Sequence, residues 1–98
     1  MVIKLHLYWT DEPIERLRIA GGSELGHLYS DDGNVEELHQ AAEALGLKRS
    51  WFQPLEDMPH YDLWRSPLDR AKERHEIVDD DEFYQDMERR RISLCRFY

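Results

Sequence analysis

One helix in this chain is written out from cap to cap, and it constrains everything around it. Asn34 can accept a hydrogen bond from a free first-turn N–H, and Glu37 three residues on makes a capping-box-like pair. Val35, Leu38, Ala42 and Leu45 recur at helical spacing and form one apolar stripe. Gly46 suits the left-handed residue that closes a helix, with Leu47 as the apolar contact after it. A single stripe must be buried against something, so the flanking segments have to supply a sheet or other helices. His39 falls on the flank of the stripe, beside Val35 and Ala42.

The segments before it read as strands. Val2 to Trp9 alternates, with Ile3, Leu5, Leu7 and Trp9 on one face and Val2, Lys4, His6 and Tyr8 on the other. His6 lies on the more polar face and reads as a solvated strand residue. Asp11 and Pro13 predict a short helix through Ile14, Leu17 and Arg18, ended by Gly21-Gly22. Leu25 to Tyr29 reads as a second strand entering the acidic turn Ser30-Asp31-Asp32-Gly33.

After the helix, Trp51-Phe52-Gln53 predicts a third strand stopped by Pro54, and His60 to Leu63 a strand end or a turn. Ser66-Pro67-Leu68-Asp69 signals a second helix, with Ser66 as cap and Pro67 in the first helical position, running to about His75. Glu76 to Val78 is a candidate last strand. Asp79 to Glu82 then loads negative charge where a third helix begins, which suits its dipole. Phe83, Tyr84 and Met87 give that helix an apolar side, and Arg89-Arg90-Arg91 lies toward its C-terminal end. The prediction is one small α/β domain over residues 1–98. It has three to four short strands in an at least partly parallel sheet, and three helices.

Ninety-eight residues allow one domain. A formal charge of −8 opposes a duplex phosphate-binding surface, which rests on Lys and Arg. No apolar run is long enough to span a membrane, and MVIKLHLYW lacks the pattern of a secretory leader. The lone Cys95 makes no internal disulfide. These features together predict a cytoplasmic protein.

From His27 onward the motifs take on a recognisable order. They are His27-Leu28-Tyr29-Ser30-Asp31, Glu37-Leu38-His39, Gly46-Leu47-Lys48-Arg49-Ser50-Trp51-Phe52-Gln53 and His60-Tyr61-Asp62-Leu63. In order and spacing they resemble the bacterial and phage family called domain of unknown function 4031, over about residues 26–78. The resemblance implies kinship and brings no activity with it. It also marks residues 79–98 as a C-terminal helical extension of a common core.

The polar positions in this pattern are His27, Asp31, His39, Gln53, His60 and Asp62. His60 and Asp62 are two apart, so on an extended strand they share a face and form a candidate catalytic acid–base pair. His27, Asp31, His39 and Gln53, with Trp51 for stacking and Arg49 for charge, are candidate ligand-binding residues. The expected ligand is small and polar, and phosphorylated or a nucleotide in the sharpest form of this reading. The first alternative is a metal-dependent hydrolase using the same imidazoles and carboxylates around a divalent metal. No tight motif such as HExxH or CxxC supports it, so it requires tertiary convergence. The second alternative is a non-catalytic interaction module, a homodimer formed through the tail Ile92–Tyr98.

Overall fold

The computed structural model describes residues 3–15, 18–54 and 59–95, with the backbone alone for 90–95. It contains strands β1 (Ile3–Trp9), β2 (Glu24–Ser30), β3 (Phe52–Gln53), β4 (His60–Leu63) and β5 (Glu76–Val78), and helices α1 (Val35–Ala44), α2 (Arg65–Arg74) and α3 (Asp80–Cys95). The strands form one sheet in the order β3-β4-β2-β1-β5. Among the described residues only β1 and β5 run parallel; the other pairs are antiparallel. The α/β class and the three helices agree with expectation, but the sheet has five strands rather than three to four. The added strand is β4, His60–Leu63, which the sequence left open as a strand end or a turn and which pairs with both β2 and β3. The predicted third strand keeps only Phe52 and Gln53, because Trp51 closes a 3-10 turn, Arg49–Trp51.

One face of the sheet holds the main core. Ile3, Leu5 and Leu7 of β1, Leu28 of β2, and Tyr61 and Leu63 of β4 pack with Leu38, Ala42 and Leu45 of α1 and Leu68 and Ala71 of α2. Each leucine fully buried here contributes about 1.5–3 kcal/mol. Gly26 lies under Leu68 of α2: a Cβ there would stand 2.7 Å from Leu68 Cδ1 and 2.9 Å from Leu5 Cδ1.

Helix α1 forms as its sequence dictates. Asn34 Oδ1 accepts from the Glu37 N–H at 3.1 Å. At the other end, Gly46 at φ 88° donates to Glu43 O and Leu47 to Ala42 O, both at 3.0 Å, the Schellman arrangement. The last turn of α1 has no basic residue of its own. Helix α2 supplies the charge instead: Arg70 Nη2 donates to Leu45 O at 2.6 Å and Arg74 Nη1 to Ala44 O at 3.0 Å.

Between β1 and β2, where the sequence predicts a helix, the described residues show no α-helix, and Glu15 alone is in a 3-10 turn. Trp9 pairs with Glu24, so the two ends of the connection lie side by side. Ile14 and Ile19 instead exchange two backbone hydrogen bonds, of 2.8 and 3.1 Å. Arg18 (φ 55°) and Gly22 (φ 80°) take the reversal; Leu17, part of the predicted stripe, lies outside the described residues. Helix α2 begins at Arg65, just before the predicted Ser66 cap. Helix α3 starts as predicted, with Asp79 Oδ1 accepting from the Glu82 N–H at 2.9 Å. It runs 16 residues, so the arginine run falls inside it and not at its end. The predicted packing or dimer role of Ile92–Tyr98, Cys95 included, concerns side chains outside the described residues. No described helix is long and apolar enough to cross a membrane.

Candidate functional site

The opposite face of the sheet carries a cluster of titratable side chains. Lys4, His6 and Tyr8 of β1 point there with Leu25, His27 and Tyr29 of β2, and with His60 and Asp62 of β4, because alternate residues of a strand share a face. The register sets His6 opposite His27, and His27 opposite Asp62. Three imidazoles and a carboxylate are thereby neighbours across three strands.

Helix α3 covers part of this face, held by a buried ionic network. Asp86 is fully buried; it accepts from Lys4 Nζ at 2.9 Å and from Tyr29 OH at 2.7 Å, and Arg89 pairs with it from the helix surface. Lys4 Nζ also lies 2.9 Å from Glu82 and 3.6 Å from Asp31. Phe83, Tyr29 and Val78 form the accompanying small core, with Met87 packed against it. Phe83 stacks on His6 with ring centroids 4.1 Å apart and planes 5° from parallel. His6 is therefore only 3% exposed. The reading of His6 as solvated is corrected: the third helix lands on the polar face of β1.

A line of polar contacts crosses the face beneath the helix. Asp80 Oδ1 lies 2.6 Å from His6 Nε2, and His6 Nδ1 lies 3.1 Å from His27 Nδ1. Beyond that, His27 Nε2 is 3.7 Å and His60 Nε2 3.3 Å from Asp62 Oδ1. Tyr8 stacks on His27 at 4.3 Å, and His60 meets it edge-on at 4.8 Å. Burial, then the neighbouring His60, push the His27 pKa down to about 4 against a smaller opposing pull from Asp62. The ring is neutral at pH 7. Burial and Asp62 push Tyr8 up to about 12, so its hydroxyl keeps its proton.

Of the predicted positions, His27, His60 and Asp62 come together, and each offers a ligand atom within 4.8 Å of the others. Gln53 pairs in register with His60 on β3 and is exposed. Asp31 sits at the Lys4 end of the face. His39 is on the far side of the sheet: it is buried against Phe52, and its Nδ1 lies 2.6 Å from Tyr61 OH. Helix α1 therefore does not gather the six residues, because the sheet stands between it and the cluster. Arg49 is exposed and pairs with Glu36 and Glu43, each at 3.3 Å. Trp51 lines a cleft of about 290 Å³ with Trp64, Arg65 and Asp62. Asp62 is thus shared by the cleft and the cluster.

Sequence reasoning missed His6, Tyr8 and Asp80 as members of the site, and Lys4 and Asp86 as its support. The alternation of β1 already put His6 and Tyr8 on one polar face, but nothing local tied that face to α3.

The molecule is thus a small α/β domain whose sheet carries a histidine–carboxylate cluster on one face and its main core on the other. Residues 11–79 match the family model described as protein of unknown function (DUF4031), and the chain belongs to that family. The matched segment contains His27, His60 and Asp62 but ends before Asp80 and the rest of α3. No curated protein and no solved structure matches the chain.

Proposed function

We propose that His27, His60 and Asp62 bind a divalent metal ion, and that the domain is a metal-dependent hydrolase acting on a small polar substrate. The observation that carries this reading is the convergence of two imidazoles and a carboxylate within 4.8 Å of one another. Imidazole nitrogen and carboxylate oxygen are the donors that borderline divalent ions such as Zn²⁺ take, and a three-ligand set leaves a position for water. His27 suits a ligand role because burial keeps it neutral and its lone pair available at physiological pH. A metal so held would polarise a bound water toward hydroxide. The cleft is lined by Trp51, Trp64 and Arg65, residue types that suit a flat ring bearing negative charge. A phosphorylated or nucleotide-like compound has that chemistry.

Titration of metal-free protein with Zn²⁺ and Mn²⁺ by calorimetry tests the reading. Expected is one ion per chain, with affinity reduced at least about tenfold by each of His27→Ala, His60→Ala and Asp62→Ala. Equal affinity in the wild type and all three variants would refute it. A substrate screen with chromogenic phosphoesters then tests turnover, which should vanish with chelator and return with the metal.

A further inference from the structure

His6 and Asp80 lie one and two contacts behind the proposed ligands, and neither belongs to the ligand set. Asp80 Oδ1 stands 2.6 Å from His6 Nε2. A carboxylate only accepts, so His6 Nε2 carries the proton. A neutral His6 then has a bare Nδ1, and that atom faces His27 Nδ1 at 3.1 Å. Two bare nitrogens cannot hold that distance, so the proton in the gap belongs to His27 Nδ1. Its Nε2, the atom facing Asp62, is left unprotonated. The 3.7 Å from His27 Nε2 to Asp62 Oδ1 is too long for a hydrogen bond, as expected if no proton lies between them. Stacking on Phe83 and Tyr8 fixes the planes of both rings.

We infer that Asp80 and His6 are positioning residues that lock His27 in the Nδ1–H form and so present a bare Nε2 toward Asp62 and His60. The lock stands on the hydrogen-bond geometry with His6 uncharged, since an imidazolium at His6 would donate from both nitrogens and leave His27 Nδ1 as the acceptor. Its consequence for metal affinity rests further on the proposed metal site. An outer carboxylate acting through an imidazole is a general way of orienting a ligand and fixing its tautomer. Asp80 lies just past the family match, so this chain supplies the end of the relay from its C-terminal helix.

The test is long-range ¹H–¹⁵N correlation of the histidine rings in metal-free protein at pH 7.5. Expected is a protonated Nδ1 and an unprotonated Nε2 for His27 in the wild type. Asp80→Ala removes the terminal acceptor at an exposed position in the first turn of α3 and should convert His27 to a mixture of tautomers. Asp81→Ala removes a neighbouring charge that does not contact His6 and should leave the wild-type pattern. A protonated Nε2 on wild-type His27, or a pattern unchanged in Asp80→Ala, would overturn the lock. Zn²⁺ titration of the same proteins separates the two ideas. About tenfold weaker binding by Asp80→Ala alone supports both. A tautomer shift without Zn²⁺ binding in any of the proteins keeps the lock and removes the metal site.

Discussion

Replacing Asp86 with alanine should unseat α3, and the structure sets the scale of the effect. The carboxylate is fully buried and accepts from Lys4 at 2.9 Å and Tyr29 at 2.7 Å. Removing one partner of a buried ion pair costs about 3–5 kcal/mol, because the other charge is left without compensation. Here Glu82, also 2.9 Å from Lys4, retains part of the attraction. The orphaned Tyr29 hydroxyl adds about 1–3 kcal/mol. A net loss of about 3–4 kcal/mol is expected from the two effects. For a domain of this size that lowers Tm by about 12–30 °C. Urea unfolding and calorimetry at pH 7 measure it.

The combination Lys4→Met, Tyr29→Phe, Asp86→Leu removes every buried partner at once and should recover most of the loss, since apolar groups of similar volume replace an ion pair at little cost. The site supplies a second readout. His27 owes its low pKa first to burial, and Phe83 of α3 lies 5.3 Å from its ring. In Asp86→Ala the His27 titration should therefore move back toward the ordinary value. A loss below about 1 kcal/mol, with the triple variant no better than the single, would refute the claim that this network docks the helix.

Stability should fall with acid through His27. Its folded pKa of about 4 lies below the ordinary 6.5, so the unfolded chain binds the proton more readily. The contribution is complete above pH 6.5 and is lost as pH drops toward 4, by up to about 3 kcal/mol. His27→Gln should flatten that part of the urea-midpoint profile between pH 4 and 7, and a profile identical to wild type would count against a half-buried, neutral His27. Gly26→Ala should cost about 1–3 kcal/mol by urea unfolding, because its Cβ would meet Leu68 and Leu5 inside 3 Å.

The local rules of the chain determined α1 by themselves. Asn34, the Val35–Leu45 stripe and Gly46-Leu47 satisfy the helix's own end groups and one buried face, all within fourteen residues. The alternation of β1, and the shared face of His60 and Asp62, followed from strand geometry in the same way. The family kinship was also legible, because it lies in the order of motifs along the chain. Which face of the sheet each histidine would occupy was decided only in three dimensions. His39 and His27 sit on opposite sides because α1 packs on one face while the β1–β2 register turns His27 to the other. The Lys4–Asp86 contact joins residues 82 positions apart, and the Asp80–His6 contact residues 74 apart. Burial of that polar face, and with it the neutral state of His27, depends on where a distant helix comes to rest, and no periodicity in either segment encodes that.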